Sequence, residues 1–192
     1  KVFGMAFGVL LFMVLVKFSP RFSTTLEYQT DESAMGRLDV WGEALMSLKD
    51  NPIFGIGYEQ FRQRFDIASH NSYIQTVTEL GLLGLFIWLA LFYFSLKNLN
   101  FINNHININD EKEISVISKS LQASLYAYLV GSYFSSSAYY VPLYMLFALA
   151  VIIQRMSGLS KKLHFKAGDI PAIFAIEISV LLFIHILTRT SS

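Results

Sequence analysis

The segment at residues 69–73 (SHNSY) carries the residues of this chain that are best suited to chemistry at a surface. It lies directly before an apolar run, and Asn71 or Ser72 is a good N-cap for a helix that begins there. Ser72 and Gln75 have the spacing of a capping box, so a capped helix start is one interpretation. The other uses the same geometry: free N–H groups at a helix N-terminus favour an anion, and His70 stands at that end.

Three arginines of the same polar segment, Arg37, Arg62 and Arg64, add positive charge to this histidine. Together with His70 they would suit an anionic lipid head group, and a diphosphate above all. Glu79 lies two turns into the following helix and has two open interpretations. It orients a basic partner, or it is a buried residue that is paired for structural reasons.

The elements that must position these groups follow from the distribution of apolar residues. Of the 192 residues, 54% are hydrophobic and 15% are charged, whereas a soluble domain carries about 25% charged residues. The net charge of +1 argues against a basic nucleic-acid-binding protein, and the absence of cysteine excludes disulfides and thiolate metal sites. This composition indicates an integral membrane protein.

Long apolar runs predict helices that cross a bilayer core of about 30 Å. The run around residues 119–155 is too long for one straight span, and three serines and Pro142 interrupt it, so a two-helix hairpin with a tight turn is predicted. The predicted membrane segments are the end of a helix at 1–18, a complete helix at 74–96, and the hairpin helices at about 119–134 and 141–155. A further apolar run at 170–187 contains Glu177 and His185, which favours an interfacial or partner-packed helix over a further membrane helix.

Basic residues in short connections predict the topology of the chain. The segment 155–166 contains basic residues and no acid, which places the tail 156–192 and the loop 97–118 in the cytoplasm. The segment 19–73 then lies outside the membrane. The predicted fold is all-α: a polytopic transmembrane helix bundle with an extracytoplasmic, partly helical loop.

The external loop concentrates the polar chemistry of the chain, because residues 17–73 hold nearly half of all charged side chains. Apolar residues between Arg37 and Lys49 fall at helical spacing and predict one amphipathic helix. Its apolar stripe consists of Val40, Trp41, Ala44, Leu45 and Leu48. Asn51-Pro52 ends this helix, because the residue before a proline avoids the α region. A polar excursion of this length between membrane helices indicates a functional segment.

Residues 36–84 resemble the signature region of the O-antigen ligase and polymerase superfamily. The order and spacing of the pieces, and their position just before a membrane helix, carry the resemblance together. The matching pieces are Gly36-Arg37, Trp41, Ala44, Asn51-Pro52, Gly55-Ile56-Gly57, Phe61, His70-Asn71-Ser72-Tyr73, Glu79-Leu80-Gly81 and Gly84. With the surrounding helices the resemblance extends over residues 1–155.

This resemblance implies a multi-pass protein of the bacterial inner membrane whose active loop faces the periplasm, and of which the chain would be the C-terminal part. It implies inverting, metal-independent transfer of a glycan from an undecaprenyl-diphosphate-linked donor to a hydroxyl of a lipid or glycan acceptor. O-antigen ligases and polysaccharide polymerases work in this way, without a cofactor. Protein-glycosylating relatives share the motif, but the compact loop favours polysaccharide assembly.

The resemblance also implies roles for individual residues. Arg37 would contact the donor diphosphate, and His70 would activate the acceptor hydroxyl as a general base or contact the diphosphate. Asn71 would cap the helix or orient the site, whereas Arg62 and Arg64 are added on physical grounds as further positive charge. The predicted catalytic residues are therefore His70 and Arg37, and the predicted substrate-binding residues are Asn71, Arg62, Arg64 and Glu79, with no metal ligand.

A protein of another class is the alternative: a non-catalytic membrane transporter or assembly subunit of a polysaccharide export system, whose external loop only binds. Transporters usually carry interrupted helices in repeated halves and ionisable groups near the membrane midplane. In this sequence Glu177 is the candidate for such a group, and the polar residues concentrate outside the membrane. That distribution favours glycan transfer.

Overall fold

The computed structural model describes residues 32–106, 112–159 and 166–189, and these ranges contain helices joined by turns, without a strand. The helices are α1 (Glu32–Ser47), α2 (Phe61–Phe65), α3 (Ser72–His105), α4 (Lys112–Gly131), α5 (Val141–Met156) and α6 (Asp169–Arg189). The predicted all-α class is confirmed for these ranges. The predicted helix end at 1–18 lies outside the described residues.

Helix α3 is the centre of the fold and packs against α1, α2, α4, α5 and α6. Both α3 and α6 are long and apolar enough to cross a membrane, and α5 is a shorter apolar helix. The buried apolar side chains of α3 include Ile74, Val77, Leu85, Trp88, Leu89, Phe92, Leu96, Leu99 and Ile102. Because lipid is as apolar as leucine, these contacts stabilise a membrane bundle by close packing rather than by removal from water.

The helix boundaries differ from the sequence pattern at the end of α3. This helix continues to His105, past the predicted end at residue 96, and α4 begins at Lys112 rather than at residue 119. The sequence predicts a loop at 97–118 because this segment lies between the two charge-free runs. Leu99 and Ile102 are nevertheless fully buried in the core, so the apolar stripe of α3 continues beyond the charge-free run.

Helix α6 lies antiparallel beside α3. At one end Lys97 pairs with Asp169 at 2.6 Å. Near the other end of α6 the ring of Phe183 contacts Tyr133, in the turn before α5, at a centroid distance of 5.8 Å. The helix predicted over 170–187 is therefore packed along the central helix of its own chain, with Glu177 buried.

The contact between Lys97 and Asp169 is a clamp between α3 and α6. The Lys97 Nζ lies 2.6 Å from both carboxylate oxygens, and the Tyr93 hydroxyl donates to Oδ1 at 2.9 Å. We expect Asp169→Asn to lower the free energy of unfolding by about 1.5–3 kcal/mol, the range for a hydrogen bond to a charged group. Thermal unfolding in detergent measures this, with the exposed Asp50→Asn as the control. Equal melting temperatures for both variants would contradict the clamp.

A break in α3 at Gly81 connects the polar loop to the central helix. Gly81 has φ 71° and ψ −172°, which interrupts the helix. The amides of Leu82 and Leu83 donate to the carbonyls of Pro52 (2.9 Å) and Ile53 (3.3 Å) instead of to residues four positions earlier. The loop 51–57 thus fills the gap in the helix.

The carbonyls that the break leaves without helical partners are satisfied by the same loop. Ile56 N donates to Thr78 O, and Gly57 N donates to Glu79 O, both at 2.9 Å. A Cβ atom on Gly55 would lie 2.5 Å from Thr78 O, so only glycine allows this approach. Buried backbone groups need such partners, above all near a membrane.

Candidate functional site

The N-terminal end of α3 is capped by Asn71. Its side-chain oxygen accepts hydrogen bonds from Tyr73 N at 2.9 Å and Ile74 N at 3.1 Å. Ser72 N donates to Ser132 O at 2.8 Å. The first amides of the helix are therefore already bonded inside the protein, and the expectation that they would be free for an anion is wrong.

A turn of three serines, residues 135–137, holds the segment before α3 in place. The Ser72 Oγ donates to Ser135 O at 2.6 Å and accepts from Ser137 N at 2.9 Å. The Ser136 Oγ accepts from His70 N at 2.8 Å and pairs with the Ser69 Oγ, also at 2.8 Å. This serine turn was predicted only as the connection of the helical hairpin, and its contact with residues 69–72 was missed. A run of three hydroxyls inside an apolar stretch was the available signal.

His70 is the one residue of this capped segment whose side chain reaches the surface. Its neighbours Ser69, Asn71 and Ser72 are buried, whereas His70 is exposed. The backbone of His70 has φ 48°, in the left-handed region that a residue with a Cβ enters at a cost. The hydrogen bond to Ser136 and the following N-cap hold this conformation. The imidazole is thus presented from a backbone whose N–H is bonded to the serine turn.

Helix α1 reaches this segment through Trp41, whose indole N–H donates to Ser69 O at 2.7 Å. The predicted amphipathic stripe is confirmed: Ala44 is fully buried, and Val40, Trp41, Leu45 and Leu48 pack partly buried against the core. Arg37 lies one helical turn before Trp41, on an exposed position of α1. The tryptophan therefore sets the position of the helix that carries Arg37 relative to His70.

Glu79 connects the break in α3 to helix α2. Its carboxylate is 1% exposed, and Oε1 accepts from Phe61 N, the first amide of α2, at 2.9 Å. The ring of Phe61 is buried as well, and it contacts Phe65 at a centroid distance of 4.8 Å. Arg62 and Arg64 are exposed on the same short helix. Glu79 thus fixes the start of the helix that presents both arginines.

Two tyrosines complete the surroundings of Glu79. The ring of Tyr58, in the loop before α2, contacts Tyr139, in the turn after α4, edge to face at 4.8 Å. Burial, and after it the Glu79 carboxylate, raise the pKa of the Tyr139 phenol, which therefore stays protonated at neutral pH. Neither the Tyr139 hydroxyl nor Glu79 Oε2 has a partner of good hydrogen-bond geometry among the described residues. The contact between Tyr58 and Tyr139 links the polar loop to the turn between α4 and α5.

The predicted site residues divide into two groups. His70, Arg37, Arg62 and Arg64 are exposed. His70 lies just before α3, and the arginines lie on α1 and α2, which both pack against α3. Asn71 and Glu79 are buried and bond to the backbone. The exposed residues offer positive charge and a proton acceptor. The buried residues, Asn71 and Glu79, hold the starts of α3 and α2 in place.

The fold and this site define a helical protein that has, in its described residues, two helices long and apolar enough to cross a membrane and that exposes a histidine and arginines beside its central helix. The O-antigen ligase family model matches residues 1–89, which include the capped segment, α1, α2 and the break at Gly81. The resemblance drawn from residues 36–84 is thereby confirmed. The match ends within α3, so the helices that follow lie outside it.

A curated relative gives a second comparison. An uncharacterized protein of Haemophilus influenzae is 34% identical to the chain over 96 residues, an alignment that covers 39% of this chain and 24% of the relative. The matched part thus spans about a quarter of that relative's length. No solved structure matches the chain.

Proposed function

We propose that this protein transfers a glycan from an undecaprenyl-diphosphate-linked donor to a hydroxyl acceptor during cell-surface polysaccharide assembly. The observation that carries the proposal is the exposed His70, whose backbone N–H is bonded to the serine turn, within the region that the O-antigen ligase family matches. Exposed arginines on α1 and α2, two helices that pack against α3, supply positive charge. This combination suits a diphosphate leaving group and an acceptor that must lose a proton.

In the proposed reaction the acceptor oxygen forms a bond to the anomeric carbon of the donor sugar, on the face opposite the diphosphate. The bond between that carbon and the diphosphate oxygen breaks, and its electron pair leaves with the diphosphate. His70 takes the proton of the acceptor hydroxyl through a ring nitrogen. Arg37 contacts the diphosphate and stabilises the charge that develops on it. The product has the inverted configuration at the anomeric carbon.

The remaining residues take supporting roles in this proposal. Arg62 and Arg64 raise the positive potential around the diphosphate from exposed positions, where salt screens them. Asn71 orients His70 by capping α3, and Glu79 orients α2 through Phe61 N. We therefore place Asn71 and Glu79 among the positioning residues and not among the groups that contact substrate.

The proposed setting is the bacterial inner membrane, which the protein crosses several times. The polar end of the bundle, with α1, α2 and the serine turn, then faces the periplasm. Lys97 and Asp169, at the other end of α3 and α6, face the cytoplasm. A lipid-linked donor would keep its polyprenyl chain in the membrane while its diphosphate reaches the arginines.

Deletion of the gene tests the proposed activity directly. We expect a null strain to accumulate lipid-linked glycan, because its transfer to the acceptor stops. Complementation with the wild-type gene restores the pool, and Arg37→Ala leaves it accumulated although the variant still inserts. The exposed Lys49→Ala, also from the polar loop, is the matched control and restores transfer. An unchanged glycan pool in the null strain would favour a non-catalytic transporter or assembly subunit.

The serine turn gives a finer test of how His70 is held. Ser136→Ala removes the oxygen that accepts from His70 N, a hydrogen bond worth about 0.5–1.5 kcal/mol. We expect glycan transfer to fall by up to about tenfold, with normal insertion, and Ser136→Thr to recover it. Ser135→Ala is the matched control, because Ser135 accepts the Ser72 hydroxyl through its backbone carbonyl. Equal transfer rates for the two alanine variants would refute this positioning role.

A further inference from the structure

The tip of the loop that fills the break in α3 is apolar and exposed. Ile53 is 56% exposed, and Phe54, at 73%, shares with Phe134 the highest value among the large apolar side chains of the described residues. Exposed apolar side chains of this size, next to each other, mark an interaction surface.

The backbone hydrogen bonds of the loop tip fix its level along α3. Ile53 O accepts from Leu83 N, so Ile53 and Phe54 lie beside the break at Gly81. That break lies nine residues after Ser72, or about 13 Å along the helix from the capped end. The loop tip is therefore placed well below His70 in the direction of the opposite end of α3.

This level coincides with one boundary of the charge-free part of α3. Residues 80–96 carry no charge and span about 25 Å, close to the thickness of a bilayer hydrocarbon core. Lys97, paired with Asp169, marks the other boundary. With the hydrocarbon core placed on this charge-free stretch, Gly81 and the loop tip lie where α3 leaves it on the side of the functional site.

The exposed side chains of the loop tip continue an exposed apolar face of α3. Leu82, Leu83 and Ile87 are 37%, 45% and 53% exposed on the helix that begins after the break. In a membrane that α3 crosses, this face would meet lipid. The loop tip extends the same surface, and the exposed Arg62 and Arg64 follow it on α2. An apolar surface with arginines beside it is typical of an element that lies in a membrane interface.

We propose that Ile53 and Phe54 insert into the interfacial region of the phospholipid bilayer and anchor the polar loop to it. The break at Gly81 directs the loop onto this level, and the anchor keeps α2 and its arginines at the height of the phosphate groups. The proposal requires that the protein crosses a membrane, but it requires no particular activity. The test of the anchor is therefore independent of the test of glycan transfer.

Single-cysteine labelling tests the anchor, since the chain contains no native cysteine. The full protein is reconstituted into phosphatidylcholine–phosphatidylglycerol vesicles with a nitroxide spin label at Phe54→Cys. Collisions with oxygen and with a water-soluble nickel chelate are then measured. We expect the oxygen-to-nickel collision ratio at residue 54 to approach that at Ile87→Cys. It should exceed several-fold the ratio at Glu43→Cys, on the exposed polar side of α1.

Two results would overturn the proposal. A ratio at residue 54 equal to that at residue 43 means that the loop tip faces water. Low collision rates with both reagents, together with an immobilised spectrum, mean that protein covers the tip, for example residues 1–31 or another chain. Ile53→Cys repeats the measurement at the neighbouring position, and because both side chains are exposed, neither substitution removes a core contact.

Discussion

His70→Ala is expected to reduce glycan transfer by about a hundredfold to ten-thousandfold, the range for loss of a general base. The variant should still insert, because the imidazole is exposed and the hydrogen bond to Ser136 uses the backbone N–H of residue 70. The measurement is the rate of glycan transfer in membranes from the complemented null strain, at matched protein levels.

A second variant is needed because His70 has a positive φ angle of 48°. Alanine at φ 48° adds local strain, which by itself disturbs the segment. Asparagine tolerates this region and removes the ring, so His70→Asn should lose transfer to a similar degree with less effect on stability. His105→Ala is the control, since His105 is an exposed histidine at the other end of α3. Normal glycan transfer by both His70 variants would show that His70 is not the base.

Gly81→Ala is expected to have the largest effect on folding. A Cβ at this position would lie 2.2 Å from Ile53 O, and the φ of 71° alone costs a residue with a side chain about 1–2 kcal/mol. To relieve the clash the loop 51–57 must leave the break. Each backbone group that it then leaves unpaired costs about 1–3 kcal/mol further. We expect loss of most of the folded protein in the membrane fraction.

The matched variant for this test is Gly42→Ala. Gly42 lies inside α1, and a Cβ there meets no atom within 4 Å. Alanine is the better helix former by about 1 kcal/mol, so this variant should be as stable as the wild type or more so. Gly55→Ala should behave like Gly81→Ala, because its Cβ would meet the backbone of Thr78 and Glu79 from the other side. Normal levels of folded Gly81→Ala protein would show that the loop does not need the break.

Local patterns in the sequence were sufficient for several elements near the site. The apolar spacing from Val40 to Leu48 predicts α1 and its buried face, because helix periodicity is a local property. Asn71 was predicted as a candidate N-cap, and it caps α3 because a short polar side chain can bond the next amides along the chain. The residue pattern between positions 36 and 84 predicted the match to the O-antigen ligase family model.

Local reasoning was insufficient for α3 itself. The run 74–96 indicated one continuous helix, whereas the structure breaks it at Gly81 and extends it to His105. The break depends on four hydrogen bonds with a loop more than twenty residues earlier, which no periodicity in the run records. The extension depends on the burial of Leu99 and Ile102, which outweighs the rise in polar residues.

Composition, helix periodicity and capping patterns predicted the helical class, the apolar segments, the polar loop and the side chains that could take part in chemistry, because each depends on residues close together in the chain. Which of those side chains reach the surface depends on the packing of distant segments. This packing buried Asn71 and Glu79 as supports, bonded the helix N-terminus internally, and left His70 and the arginines exposed. The serine turn that bonds the backbone and hydroxyl groups of residues 69–72 lies some sixty residues further along the chain, so no local pattern records these contacts.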